Sequence, residues 1–161
     1  MLGGRWPCVS MAFQLKHTIV VDASYEGDRG VVGIGVVVHA TDRPGRNGPI
    51  IETTSEAYVG VTPALMEKFA VLRALEIAAE KGYRRLKIRS DYNSMRRGLK
   101  EDAAKVLDHM EEGLHRRVLE LASTLDEVKF SYVPRRKNQT AHALARQAAK
   151  AGRVARWDIQ K

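Results

Sequence analysis

The stretch HTIVVDA, residues 17–23, decides the fold of this chain. Its run of apolar and β-branched residues predicts a buried strand, and the strand carries an aspartate, Asp22, near its end. Packing alone does not explain an acid at the carboxyl end of a central strand. Ligand-binding and catalytic groups collect at such strand ends in α/β sheets. The simpler alternative is that Asp22 only caps a turn.

The segments on either side of this strand extend the pattern. Residues 31–39 (VVGIGVVVH) and 50–59 predict two more strands, so the chain opens as a three-stranded antiparallel meander. Gly33 and Gly35 mark a bend or a close neighbour in the second strand. Helical periodicity begins near Pro63, after Thr62 as a candidate cap, and Gly82 closes that helix. The later segments predict a strand at 86–91, a short helix at 93–99, a longer helix at 103–124 with Gly113 as a candidate break, a strand at 127–133 and a helix at 138–151.

This order of elements predicts an α/β fold. Strands 1, 4 and 5 are separated by helices, so we expect them to lie parallel. Together with the antiparallel strands 1 to 3 they give a five-stranded mixed sheet flanked by helices. We expect one domain over residues 13–152, a loose leader over 1–12 and a tail over 153–161.

Composition narrows the class of protein. The 161 residues are 44% hydrophobic and 29% charged, as in globular proteins, and no apolar run approaches the roughly 20 residues of a membrane span. The one cysteine, Cys8, excludes an internal disulfide framework and a multi-cysteine zinc site, and it fits a reducing, cytoplasmic location. The net charge of +8 favours an anionic partner, above all nucleic acid. We expect a monomer.

Two further acids stand where folding alone would not place them. Asp91 ends a predicted central strand, as Asp22 does, although it too could be a cap. Glu67 falls on the apolar face of its helix, beside Val71 and Ala74, where a carboxylate is costly unless it is paired or bound to a metal. A buried salt bridge with an arginine is the alternative. Three converging carboxylates repel one another, and oxygen-only ligands suit Mg²⁺ or Mn²⁺, which phosphodiester hydrolysis uses.

With these residues in place, the chain resembles the ribonuclease H family, type 1, from about His17 to Ala149. The fragments that carry the resemblance occur in order on the expected elements. They are Val21-Asp22-Ala23-Ser24, Gly33-Ile34-Gly35, Met66-Glu67, Ser90-Asp91 with Arg96 and Gly98-Leu99, and Val133-Pro134-Arg135 followed by Asn138 and Ala141-His142-Ala143-Leu144-Ala145.

The resemblance implies an activity and a metal site. The family uses two Mg²⁺ ions to cut the RNA strand of an RNA–DNA hybrid, leaving a 3′-hydroxyl. By resemblance, Asp22, Glu67 and Asp91 are the first three metal-binding acids, and Asp22 bridges both ions.

Two departures from the family pattern stand out. The fourth acid of the family falls on His142, which can offer a ring nitrogen to a metal or accept a proton but lacks two anionic oxygens. We count His142 with the three acids as a catalytic and metal-binding candidate; the alternative is a surface histidine in a decayed site. In addition, Pro63 and Ala64 stand where many members have asparagines that contact the hybrid, which weakens the expectation of hybrid recognition.

Several residues beside the predicted centre are candidates for contacting nucleic acid. Four basic clusters occur, and those that adjoin the acids in the chain are the better phosphate ligands. Arg84-Arg85 and Arg116-Arg117 are interpreted as solvated faces. The candidates are Ser24, Asn93, Arg96, Arg97, Arg135, Arg136, Lys137 and Asn138. Asn93 and Asn138 are also suited to capping helices.

The sequence leaves three functions open. The first is an active ribonuclease H, and the second is a different nuclease on the same fold. The third is a non-catalytic nucleic-acid-binding module whose site has decayed. A purely structural interaction protein would leave Glu67 unexplained.

Overall fold

A computed structural model describes residues 16–41, 48–91 and 109–157. The predicted leader, the short helix at 93–99 and the start of the following helix lie outside these ranges. The elements are β1 (Lys16–Glu26), β2 (Val31–Thr41), β3 (Ile50–Val59), α1 (Met66–Lys81), β4 (Arg85–Ser90), α2 (His109–Ser123), β5 (Glu127–Tyr132), a 3-10 turn (Arg135–Lys137), α3 (Gln139–Ala151) and β6 (Val154–Arg156). Within the described ranges, no helix is long and apolar enough to span a membrane.

The strands form one mixed sheet in the order β5-β4-β1-β2-β3-β6. The antiparallel meander β1-β2-β3 and the parallel set β1-β4-β5 are confirmed, and β1 lies at the centre. The predicted number of five strands is wrong by one. β6 lies in the segment expected to be a tail, where it pairs in parallel with the end of β3. Three exposed residues carry no periodicity that would reveal such a strand.

The alternation along β1 sends its side chains into two different layers. Ile19, Val21 and Ala23 point into the main core, where α1 and α2 cover the sheet. Val20 points to the opposite face and packs with Val37 and Ala141 below α3. Asp22 has the same parity as Val20, so its side chain also lies on the α3 face. β1 is therefore buried on both faces, as its unbroken apolar run predicts.

Helix α1 begins three residues later than expected. Residues 63–65 form a turn in which the Leu65 N–H donates to the Thr62 carbonyl at 3.0 Å, and no side chain caps the helix. The helix ends as predicted at Gly82, whose φ of 76° lies in the left-handed region. The later start places Glu67 in the first turn, where the helix dipole favours a carboxylate.

The two glycines of β2 let α3 lie directly on the sheet. A Cβ on Gly35 would overlap the backbone of Ala141 and Ala145, and a Cβ on Gly33 would overlap Ala145 and Ala149. The close neighbour expected from the sequence is therefore α3. Because Gly35 pairs with Asp22 across β1 and β2, this contact also sets the distance between α3 and Asp22.

Replacing Gly35 by alanine is expected to lower the free energy of unfolding by about 3 kcal/mol, because backbone atoms cannot give way as a flexible side chain can. Urea denaturation of the two proteins measures the change. Gly27→Ala is the matched control, since the nearest atom to its new Cβ is a ring carbon of Tyr25 at 3.9 Å. Equal losses in both variants would contradict the close contact.

Candidate metal centre and active site

Three carboxylates converge just beyond the last parallel pair of β1 and β4; Asp22 lies within β1, which continues to Glu26, and Asp91 directly follows β4. These strands are parallel neighbours whose register pairs Val20 with Arg89, so Asp22 and Asp91, two residues further on, lie level. Glu67 reaches the same place from the first turn of α1. One oxygen from each of the three residues lies within 4.8 Å of the others. The acids singled out in the sequence therefore form one cluster, and none of the three only caps a turn.

The environment of Glu67 opposes its ionisation. Burial, followed by the charges of Asp22 and Asp91, raises the pKa of Glu67 to about 8, and Arg135 offsets part of this rise. Its Oε2 is buried with no hydrogen-bond partner, and no ion pair joins Glu67 to an arginine, among the described residues. The salt-bridge alternative thus finds no support in this part of the chain.

The environment of Asp22 also opposes its ionisation. It is only 2% exposed, and burial and Asp91 raise the pKa of its carboxyl, whereas hydrogen bonds from His142 and a backbone amide lower it. A divalent cation bound here would neutralise this charge and give the orphaned Glu67 oxygen a partner. The donor set is oxygen only, which suits a hard cation such as Mg²⁺ or Mn²⁺. The residues present therefore fit the ion that the sequence implies.

His142 contacts Asp22 directly. Its Nδ1 lies 2.7 Å from Asp22 Oδ2, and its Nε2 lies 3.3 Å from Arg135 Nη2. A guanidinium can only donate, so Nε2 accepts and Nδ1 carries the proton that is donated to Asp22. Both ring nitrogens of His142 are thus engaged by protein groups. The three residues form a chain of hydrogen bonds that ends on the metal-compatible cluster.

The structure describes some, but not all, of the residues predicted to contact nucleic acid. Arg135, Arg136 and Lys137 form the exposed 3-10 turn that leads into α3, and Arg135 contacts His142 beside the acidic cluster. Ser24 is half-buried on β1, two residues beyond Asp22. Three further candidates, Asn93, Arg96 and Arg97, lie outside the described residues.

Asn138 has a structural contact that the sequence did not reveal. It is 2% exposed, and its Nδ2 donates to the Val21 carbonyl at 3.1 Å, which fastens the start of α3 to the strand that bears Asp22. It is also the N-cap residue of α3, but its side chain makes no capping hydrogen bond. The predicted donation to sugar or phosphate is therefore not available to this nitrogen in the present arrangement.

Residues of the two basic pairs interpreted as solvated faces form ion pairs at the protein surface. Arg84 forms an ion pair with Asp126 at 2.9 Å, and Arg85 pairs with Glu127 at 2.9 Å. Arg116 is exposed, 3.9 Å from Glu112. Arg89 is a further basic residue near the site that the sequence motifs do not indicate. Arg89 precedes Asp91 by two positions on β4, and only the alternation of Arg85, Lys87 and Arg89 on one face could have indicated it.

Fold and site together define a ribonuclease H-like protein with a carboxylate cluster suited to a divalent cation. The chain belongs to the reverse transcriptase-like family, whose family model matches residues 20–148. The resemblance to type 1 ribonucleases H is thereby confirmed. No curated protein is similar enough in sequence to match the chain.

Solved structures agree with this assignment. Ribonuclease H1 from the halophilic archaeon Halobacterium salinarum is 25% identical, with a TM-score of 0.71 over 84% of this chain and 98% of that one. The compost-derived LC11 ribonuclease H1, solved in complex with an RNA/DNA hybrid, is 24% identical, with a TM-score of 0.68 over 83% and 96% of the two chains. The N-terminal ribonuclease H domain of a Mycobacterium tuberculosis protein is 22% identical, with a TM-score of 0.69 over 86% and 96%.

Proposed function

We propose that this protein is a metal-dependent endonuclease that hydrolyses the RNA strand of RNA–DNA hybrids. The observation that carries the proposal is the convergence of Asp22, Glu67 and Asp91 on a ribonuclease H-like fold. Similarity to LC11 ribonuclease H1, which was solved with a hybrid bound, supports the choice of substrate. The net charge of +8 supports a polyanionic partner.

The chain supplies three functions to such a reaction. The three carboxylates would hold divalent cations, Mg²⁺ or Mn²⁺, which would supply activation of the attacking water and stabilisation of the charge on the phosphate. The basic 3-10 turn, residues 135–137, lies beside the cluster and would hold the negative backbone of the substrate. The two hydrogen bonds that link Arg135 to His142 and His142 to Asp22 fix the Asp22 carboxylate in one orientation.

The test is cleavage of a labelled RNA–DNA hybrid in the presence of Mg²⁺ or Mn²⁺, with double-stranded RNA and duplex DNA in parallel. We expect cuts within the RNA strand of the hybrid alone. Failure to cleave the hybrid with either metal would refute the enzymatic proposal and favour a non-catalytic binding module.

A nuclease of different specificity is the second candidate, because one feature of the site favours it. Pro63 and Ala64, which stand where related enzymes have asparagines that touch the hybrid, are both exposed beside α1 and offer no side-chain donor. Preferential cutting of double-stranded RNA or of DNA in the same assay would establish this alternative.

His142 is expected to act on the reaction through Asp22. Removing the ring in His142→Ala frees Asp22 Oδ2 and should lower activity about 10- to 100-fold, the usual effect of losing a hydrogen bond to a metal ligand. His142→Asn can still donate from its Nδ2 and should retain most of the activity. His142→Asp supplies a fourth carboxylate and should keep or raise it.

Activity and metal dependence together show whether His142 positions Asp22 or has no role. The metal concentration for half-maximal activity should rise in His142→Ala and stay near the wild-type value in His142→Asn. Equal activity and equal metal dependence in all four proteins would show that position 142 has no part in the reaction.

A further inference from the structure

Part of the sheet face on the α3 side is open to solvent. The apolar residues of β4 and β5 point into the main core, so the residues that alternate with them point to the opposite face. Helix α3 packs on β1, β2 and β3, whereas Lys87 and Lys129 on the two neighbouring strands are exposed. We call this surface the open face; it consists of Lys16, Arg85, Lys87, Arg89, Glu127, Lys129 and Ser131.

The open face carries much more positive than negative charge. Of its residues, five are basic and only Glu127 is acidic. The Glu127 carboxylate lies 2.9 Å from Arg85 and 3.5 Å from Lys129. Lys16 shares the same carboxylate at 3.7 Å. Lys87 forms no ion pair within the described ranges of the chain. One acid therefore serves three cations, and the face keeps a positive charge that favours an anionic partner.

A cavity of about 250 Å³ adjoins the open face beneath the amino-terminal end of α3. Val20 and Val37 form its floor, and Ile50, which is 50% exposed, also lines it. Arg89 lines the cavity as well and so belongs to both surfaces. We call this space the α3 cavity. Its aliphatic residues can bury apolar surface of a partner, which the cations beside them cannot do.

The two surfaces together fit an acidic peptide segment that carries one bulky apolar side chain. The apolar side chain would enter the α3 cavity, and carboxylates near it in the peptide would meet Lys87 and Lys129. Charge alone would suit the phosphates of a nucleic acid equally well. The aliphatic lining favours the peptide, because a buried apolar side chain in a small cavity is the usual anchor of a protein partner.

The spacing lets one short segment reach both surfaces. Val20 pairs with Arg89, and Lys87 precedes Arg89 by two residues, which is about 7 Å along the strand. Lys129 pairs with Lys87 on β5, two strands and so about 10 Å from β1. An extended peptide advances about 3.3 Å per residue. Acids about three residues from the apolar side chain can therefore reach both lysines.

We propose that the open face and the α3 cavity form a docking site for an acidic peptide segment of a partner protein, anchored by one bulky apolar side chain in the cavity. The site is separate from the carboxylate cluster, since Val20 and Arg89 precede Asp22 and Asp91 by two residues. The inference does not depend on the proposed function. Its effect is to attach this chain, together with its carboxylate cluster, to the partner.

The first test measures peptide binding to the full chain by fluorescence polarisation in EDTA. The probes are eight-residue peptides of aspartate with one phenylalanine, which is placed at each position in turn. A matched probe has alanine in place of the phenylalanine. At least one phenylalanine probe should bind about tenfold more tightly than its match, because the ring is the anchor. If no probe binds, or if every alanine match binds as tightly, the proposal is overturned.

The second test locates the cations that hold the best probe. Lys87→Gln combined with Lys129→Gln should weaken binding about tenfold. Lys150→Gln combined with Arg153→Gln is the matched control, because it removes two charges from exposed positions at the far end of α3. It should change binding less than about twofold. Equal losses in the two double variants, with both shown to be folded by a thermal melt, would refute the proposal.

Ile50 provides a separate test of the apolar anchor. Ile50→Thr keeps a β-branched side chain on the strand but removes apolar surface from the cavity, so it should weaken the phenylalanine probe and leave its alanine match unchanged. Benzoylphenylalanine in place of phenylalanine should crosslink, on irradiation, to the segment that bears Ile50 or to residues 136–141. Crosslinks found only in other segments would contradict the docking site.

The nucleic-acid alternative is tested with the same proteins. Binding and cleavage of an RNA–DNA hybrid by Lys87→Gln combined with Lys129→Gln should stay within about twofold of the wild type, because the hybrid does not need the open face. A double variant that loses hybrid binding but keeps peptide binding would assign the open face to nucleic acid and overturn the proposal. Since the peptide measurements need neither metal nor hybrid, failure to cleave would refute the proposed activity and leave the docking site intact.

Discussion

Replacing Asp22 with asparagine is expected to abolish metal-dependent cleavage, with a loss on the order of a thousand-fold or more. Asp22 belongs to the acidic cluster and is also the acceptor for His142. The amide has nearly the same shape but no charge, so it ligates a hard cation far more weakly than a carboxylate. Initial rates with a labelled hybrid, over a range of Mg²⁺ and Mn²⁺ concentrations, measure the loss.

Thermal melting of Asp22→Asn shows whether its loss of activity comes from loss of metal binding or from loss of stability. Burial and Asp91 raise the pKa of Asp22, because they make its ionised form less favourable than it is in water. In EDTA, Asp22→Asn should therefore melt at or above the wild-type temperature, whereas added Mn²⁺ should stabilise the wild type but not this variant. Asp28→Asn, in the exposed β1–β2 turn, is the matched control and should behave as the wild type in both assays. Full cleavage by Asp22→Asn would remove Asp22 from the proposed mechanism.

Glu67→Gln is expected to make the metal-free protein more stable at alkaline pH, by on the order of 3 kcal/mol. The pKa of Glu67 in the folded protein is raised to about 8 from an ordinary value of 4.5. Between these two values the folded state holds a proton that the unfolded state has released. The free energy of unfolding of the wild type in EDTA must therefore fall as the pH rises through this window.

Urea denaturation in EDTA between pH 4 and pH 9 measures this difference. The variant and the wild type should be equally stable near pH 4, where Glu67 is protonated in both states, and should diverge up to about pH 8. Mn²⁺ should stabilise the wild type at the upper end and leave Glu67→Gln almost unchanged. Glu80→Gln, exposed on the same helix, controls for the loss of a surface charge. A Glu67→Gln protein that is less stable than the wild type at pH 9 would show that this carboxylate is already compensated by the protein.

Much of the candidate site could be predicted from local patterns. The apolar run around Asp22 requires a strand buried on both faces, and the 3.6-residue period of α1 places Glu67 on the buried side whatever the tertiary fold. Gly33 and Gly35 indicate that another part of the chain packs closely against β2. The sequence does not show which part, because a missing side chain does not identify what occupies its place. α3 occupies that place, and the contact brings His142 to Asp22.

The sequence by itself determined the mixed α/β sheet, the three acids and the basic character of the chain, because these depend on the period of apolar residues and on residue type. Only the tertiary structure decided that His142 donates to Asp22, that Asn138 is tied to Val21, that β6 joins the sheet and that Arg89 lies beside Arg136 and Lys137. These features depend on contacts between residues far apart in the chain or on short segments without periodicity. Such contacts are fixed by strand register and by the packing of α3 on the sheet, and no local pattern encodes them.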